Sequence, residues 1–308
     1  MRQIFKNKKI AIEAVRQNGY ALEYAHENLK KDKEVVLEAV RQNGYALEYA
    51  HENLKKDKEV VLEAVKQYGF SLRFAADNLK TDQEVISEAI RQSGYVLKYA
   101  NNKIKKNKDI VFNAVKRNGY SLLYADQVLK KNKNFILKLV KLPLGGTSLQ
   151  FVDENLKKDK EVVLEAVSNY GVALQYAHYN LRKDKAIVLK SVRQYGFSLQ
   201  YADESLKKDK EIVLEAVIQN GFSLQYAAIN LKDDRNFILK LVKRNGYALE
   251  YAHENLKKDK EVVLEAVRQN GYALQHVDDS LKTDQEVILE ALKQDDYVLR
   301  YLGLNNEK

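Results

Sequence analysis

Two apolar patterns alternate along this chain, and the pair repeats. In "DKEVVLEAVRQN", Asp32 to Asn43, the residues Val35, Val36, Ala39 and Val40 fall on one broad face at helical spacing. In "GYALEYAHENL", Gly44 to Leu54, the residues Leu47, Tyr49, Ala50 and Leu54 mark a further helix, with Tyr45 packing across the turn. Glycine gives the period: Gly19, Gly44, Gly69, Gly94 and Gly119 are 25 apart, and the same spacing runs from Gly146 through Gly171, Gly196, Gly221 and Gly246 to Gly271. The twelfth position is Asp296. Asn18–Leu47 and Asn245–Leu274 are identical over 30 residues, which points to copying within the gene.

The punctuation agrees with the pattern. Asp or Asn precedes the Val-rich helix in all eleven internal repeats, from Asp32 and Asp57 through Asn107 and Asn132 to Asp284. A short polar side chain there accepts from the free N–H groups of the first turn and predicts an N-cap. Glu34 follows inside that turn, where it favours the helix dipole. The recurrent glycine is expected to end the helix in the left-handed conformation. Helices of about 9 to 12 residues are marginal alone and gain stability by stacking. The expected fold is therefore all-α: a right-handed α-solenoid of about twelve 25-residue two-helix repeats, 24 short helices in all, continuous over 1–308.

The period slips once. After the shared octapeptide NFILKLVK, one copy continues Arg244-Asn245-Gly246, and the other Leu142-Pro143-Leu144-Gly145-Gly146, which is two residues longer. Pro143 cannot continue a helix, and Gly145 and Gly146 loosen the turn. These residues are expected to form a joint at 142–146 between sub-blocks 1–142 and 147–308, with a local change of superhelical twist.

Charge changes the picture near that joint. The net charge is +9, and residues 103–143 hold eleven basic against two acidic residues, which accounts for all of it. The cations are Lys103, Lys105, Lys106, Lys108, Lys116, Arg117, Lys130, Lys131, Lys133, Lys138 and Lys141. Lysines at several of these positions recur elsewhere; what is special is the loss of acids, to Asn107, Asn113, Asn132, Asn134 and Lys138. The segment is a candidate surface for an anionic partner: an acidic protein, nucleic acid or an anionic membrane face.

Candidate chemistry is sparse. There is no cysteine, and no apolar run approaches a membrane span. The first residues are too charged for a signal-peptide core, so a soluble cytoplasmic protein is expected. His26, His51, His178 and His253 share one column with Asp126, Asp153, Asp203 and Asp278, an exposed and variable position. His276 replaces a recurrent tyrosine and is expected to be packed. Tyrosines exchange with Phe70, Phe74, Phe151, Phe197 and Phe222, which indicates a packing ladder, whereas Tyr68, Tyr170, Tyr179 and Tyr195 stand off it. Carboxylates recur in equivalent settings, whereas an active site needs one asymmetric place. No enzyme, metal or cofactor is expected. Leu123, Val128, Tyr179, Ile218 and Ile229 are apolar in variable columns and are candidate protein contacts.

The recurring string "NGYALEYAHENLKKDKEVVLEAVRQ" resembles the bacterial repeat family known as domain of unknown function 4116, over essentially the whole chain. The resemblance implies a helical-repeat protein of bacteria, in some members a secreted effector of intracellular species, with no established activity. The leading expectation is a noncatalytic scaffold that binds an unidentified protein along a curved surface. The alternative is anion or nucleic-acid binding through 103–141, and the third is a structural spacer. Ile4, Phe5, Tyr301, Leu302 and Leu304 leave the ends apolar, which predicts weak end-on self-association or fraying.

Overall fold

The computed structural model describes residues 5–143, 145–294 and 298. The expectations attached to Ile4, Leu144, Asp296, Tyr301, Leu302 and Leu304 lie outside the described residues. Among these the chain is helical without strands, apart from one isolated bridge between Phe5 and Ala25. The Val-rich pattern forms twelve helices: α1 Lys8–Gln17, α2 Lys33–Gln42, α3 Lys58–Gln67, α4 Gln83–Gln92, α5 Lys108–Arg117, α6 Lys133–Val140, α7 Lys160–Asn169, α8 Lys185–Gln194, α9 Lys210–Gln219, α10 Arg235–Val242, α11 Lys260–Gln269 and α12 Gln285–Leu292. Their N-caps are as expected. Asp32 accepts from the N–H groups of Glu34 and Val35 at 3.0 and 3.3 Å, and Asn107 serves Asp109 and Ile110 likewise. Each such cap contributes about 1 kcal/mol.

The other half of each repeat differs from the single α-helix expected. Gly44–Tyr49 is a 3-10 helix and Glu52–Lys55 one short α-turn, with Ala50 and His51 extended between them. Elsewhere the short turn is itself 3-10, as at Leu79–Thr81. The reason is in the spacing: Gly44, Leu47 and Ala50 are all buried, and a three-residue turn aligns positions i, i+3 and i+6. Six residues of 3-10 helix span about 12 Å, the length of roughly eight residues of α-helix. The shorter sequence thus lies alongside the longer helix.

The recurrent glycine is not a left-handed cap. Asn43 ahead of it is extended, with φ −148° and ψ 111°, and its side chain accepts from Tyr45 N at 2.9 Å to open the 3-10 helix. The backbone at Gly19 and Gly246 stays out of the left-handed region. A Cβ there would stand 2.5 Å from the carbonyl oxygen of Ala39 or Ala266, on the next long helix. Glycine is needed because successive repeats approach so closely.

Three further kinds of link join successive repeats. Gly19 N donates to the Gln42 side chain at 2.6 Å. His51 N donates to Lys30 O, and Asp126 N to Lys105 O, both at 3.0 Å. Aromatic rings meet edge to face across repeats, as Tyr20–Tyr49 and Tyr45–Phe74 do at 6.2 and 6.1 Å. At the start of the first repeat Phe5 supplies the backbone partner, accepting from His26 N at 2.8 Å.

The chain divides into two compact blocks, Met1–Asp153 and Glu154–Lys308. Within each, the repeats stack as a solenoid on a core of fully buried residues such as Val35, Val36 and Leu47 in the first and Val162, Val163 and Leu174 in the second. The slip lies inside the first block. Leu142 N donates to Leu139 O, Gly145 N donates to Leu142 O, and the 3-10 helix Gly145–Phe151 gains a seventh residue. Stacking resumes at once: Ser148 Oγ donates to Gly119 O at 3.1 Å, and Phe151 meets Tyr120 at 5.7 Å.

The Ser148 column yields a stability prediction. Ser71, Ser121, Ser198 and Ser223 occupy it with buried hydroxyls that lack a partner, where other repeats have Ala46 or Ala173. Alanine at any of the four is expected to stabilise the protein by about 1 kcal/mol. Ser148→Ala, which loses a made hydrogen bond, is expected to destabilise it. Denaturant midpoints of the single variants read the contrast.

Candidate functional site

Two ladders of ion pairs run along the long helices, each linking one repeat to the next. In the first, the leading lysine of a helix bridges the N-cap aspartate and the first-turn glutamate of the following helix. Lys8 reaches Asp32 and Glu34 at 2.8 and 2.7 Å, Lys33 reaches Asp57 and Glu59, and Lys58 reaches Asp82 and Glu84. The second block repeats this, for example from Lys185 to Asp209 and Glu211, and from Arg235 to Asp259 and Glu261. In the other ladder a basic residue of the last turn meets a glutamate one helix on, as Arg16 meets Glu38 at 2.6 Å and Arg193 meets Glu215 at 3.1 Å.

Both ladders are interrupted between α5 and α6. The acids that would face Lys108 are replaced by Asn132 and Asn134, and the one that would face Lys116 is replaced by Lys138. Lys103, Lys106, Lys108, Lys116, Arg117, Lys131, Lys138 and Lys141 are exposed, while Lys105 and Lys133 are half-buried. Lys131 reaches Asp153 only at 4.0 Å. Lys108, Lys116, Arg117 and Lys138 are thus exposed on the surface of α5 and α6, where Lys108 and Lys116 lack the acids that their counterparts face, whereas Lys103, Lys105, Lys106 and Lys131 lie on or beside the short turns.

Lys130 does not belong to that surface. It is 7% exposed and donates to the Leu123 carbonyl oxygen at 2.7 Å, and burial pushes its ammonium down from the ordinary lysine range. In other repeats this lysine pairs with an acid three residues back, as Lys55 does with Glu52 at 2.9 Å. Gln127 offers no charge, so the side chain folds onto the backbone. Lys232, three residues after Ile229, does the same with Gln225 O.

Histidine, the natural metal or acid–base candidate, has another task here. His51 Nδ1 accepts from Asn53 N at 3.3 Å, and Asp126 accepts from Val128 N at 2.9 Å, so both residue types cap the short helical turn. Both supply an acceptor at this position and so interchange, whereas Ala76 and Ala228 leave it without one. His276 packs beside Glu250 at 3.2 Å, and burial lowers its pKa. Among the described residues no group of three metal-ligating side chains comes together.

The apolar candidates do face outward: Leu123 is 44% exposed, Val128 65% and Ile229 77%, with Tyr179 and Ile218 also exposed. Leu123 and Val128 lie in the first block, on the 3-10 helix and the short turn between α5 and α6; Tyr179, Ile218 and Ile229 lie in the second. Ile10 and Leu289 are exposed too and were not singled out from sequence. Sequence reasoning also missed a groove between α4 and α5, although its signal was legible: Ser87 interrupts a column otherwise filled by Ile12, Leu37, Leu62, Phe112 and Leu137.

The intact ladders carry a pH dependence. Lys58 beside Asp82, and Arg235 beside Asp259, hold those carboxyls below the usual aspartate range. The folded pKa is lower than the unfolded one, so the pairing stabilises fully above about pH 4 and is lost as pH falls through the depressed value. Asp259→Asn is therefore expected to be less stable than the parent near neutrality, with a narrower gap in acid below about pH 4. Urea unfolding in both ranges measures it.

Repeats that bury their cores against one another define the class of α-helical solenoids. The chain belongs to the family described as Domain of unknown function (DUF4116), which matches residues 7–55, 57–105, 107–157, 132–182, 184–232, 209–257, 234–282 and 259–305. Each match spans about two of the 25-residue repeats. No curated protein and no solved structure matches the chain. No described helix is long and apolar enough to cross a membrane.

Proposed function

We propose that the chain is a noncatalytic repeat scaffold that binds a protein partner, and that the partner is acidic where it lies over α5 and α6. One observation carries this: two ladders that neutralise the long helices elsewhere lose their acids together over neighbouring helices. Leaving Lys108 and Lys116 uncompensated costs stability and gains nothing for the fold, whereas a complementary surface would supply the missing carboxylates. Leu123 and Val128, exposed on the 3-10 helix and the short turn between α5 and α6, add the apolar contact that a protein partner rewards. Against catalysis stand the recurrent caps and ladders that occupy the histidines and many of the carboxylates. A cytoplasmic location, in a bacterium or after delivery into a host cell, is the setting that the family resemblance suggests.

The test is retention of proteins from a lysate by the immobilised full chain at physiological salt, against a Leu123→Asp/Val128→Asp variant. Species held by the parent and lost by the variant support the reading, and identical retention overturns it. The same cations favour a second reading, a polyanion such as nucleic acid. It requires affinity that falls steeply with salt, and salt-insensitive or absent binding to single-stranded DNA excludes it.

A further inference from the structure

Over α4 and α5 three columns change together. Ser87 stands where the other repeats of this block carry Ile, Leu or Phe, and its short side chain leaves a groove of about 480 Å³ between the two helices. Ile90 and Ile110 form an apolar floor. Ile110 is 7% exposed, where Val60 and Val85 in the same column are 0%; Ile90 is 4% exposed, where Val40 and Val65 are 0%. Asn113 replaces the glutamate that would face Arg91, and Arg91 turns back to Glu88 at 2.6 Å. Arg117 takes the place of the helix-ending glutamine seen at Gln42, Gln67 and Gln92. With Lys116 it forms an exposed cationic rim.

We propose that this groove holds an apolar side chain of an acidic peptide segment, a refinement that rests on the protein-binding reading above. A leucine-sized side chain would fill the space Ser87 leaves and cover the two isoleucines, while flanking carboxylates pair with Lys116 and Arg117. The pairing of an apolar floor with a cationic rim calls for both features in one ligand. A nucleic-acid backbone meets the rim and not the floor, and no aromatic face lines the groove for base stacking.

The probe is a labelled peptide of Glu and Asp with one central Leu, compared with the same peptide carrying Ser at that place. Both are titrated by fluorescence anisotropy into the full chain and into Ser87→Leu, which installs the column's own residue and is expected to fold with an undiminished melting temperature. The parent is expected to bind the Leu peptide at least about tenfold more tightly than the Ser peptide. Ser87→Leu is expected to abolish that preference and leave the Ser-peptide affinity unchanged. Equal binding of the two peptides by the parent overturns the groove assignment alone, as does a preference that survives Ser87→Leu. If neither peptide binds, the acidic-partner reading fails with it. A single-stranded oligonucleotide whose binding Ser87→Leu weakens tenfold would mean that the groove takes a base, which also overturns the proposal.

Discussion

Gly246→Ala is expected to destabilise the second block by about 3 kcal/mol, the upper part of the range for overpacking a close-packed interior. The added methyl would stand 2.5 Å from the Ala266 carbonyl oxygen and 3.0 Å from the Asn270 Cβ. A backbone carbonyl inside α11 cannot swing aside as a side chain does, so the next repeat must move. The opposing term is small: alanine gains about 0.4–1 kcal/mol through the unfolded chain. Sterics therefore decide the sign. Gly246→Asn separates this account from the left-handed cap expected of such a glycine. A left-handed site tolerates Asn well, whereas a site short of space accepts Asn less readily than Ala. Denaturant unfolding of both variants, with hydrogen exchange to locate the damage, gives the answer. An Asn variant as stable as the Ala variant would sink the close-approach explanation. Exchange is expected to rise mainly in the repeats on either side, because each contacts chiefly its neighbours.

The second large effect is on binding. In Asn132→Asp/Asn134→Glu/Lys138→Glu every new residue copies its own column elsewhere in the array. The new carboxylates at positions 132 and 134 would engage Lys108 as Asp57 and Glu59 engage Lys33, and the one at position 138 would engage Lys116 as Glu38 engages Arg16. The variant loses four positive charges from a segment that holds +9, yet its fold should be no less stable. Affinity for a polyanion such as heparin at about 0.1 M salt is expected to fall at least about tenfold, and the log–log salt slope to shrink by about two to three. Surface ion pairs contribute only about 0–1 kcal/mol each to stability, so the melting temperature should change little or rise slightly. An unchanged affinity and slope would show that α5 and α6 do not form the anion-binding surface.

The N-caps were legible because capping is a local event: Asp32 finds its donors two and three residues on, at Glu34 and Val35. The 3-10 helix was harder, since positions i and i+3 share a face in both helix types. The buried series Gly44, Leu47, Ala50 carried the discriminating period of three. What Gly19 avoids, the Ala39 carbonyl, is a backbone atom twenty residues away that no residue type betrays. The fate of Lys130 depends on whether its neighbour three residues back is Glu or Gln, a choice whose meaning shows only once Lys55 is seen to pair with Glu52. The missing acids were visible as a surplus of charge. Their meaning emerged only once Asn132, Asn134 and Lys138 could be set opposite Lys108 and Lys116, and Asn113 opposite Arg91, one helix earlier in the stack.

The links between repeats share one property: they are addressed by a fixed offset along the chain. Gly19 looks to Ala39 and Gln42, Lys33 to Asp57, and His51 to Lys30. An insertion or deletion of one whole period leaves every address valid, and any other length inside an interface misdirects several at once. The array can therefore grow or shrink by copy number, with the identical segments Asn18–Leu47 and Asn245–Leu274 as ready sites for unequal exchange. The two extra residues after α6 lengthen the offsets that span them, from 21 for His51 and Lys30 to 23 for Asp153 and Lys130, yet the pairings survive because the insertion falls between a finished long helix and the next 3-10 helix. Such a gene can change the reach of its product faster than it changes the sequence of any one repeat.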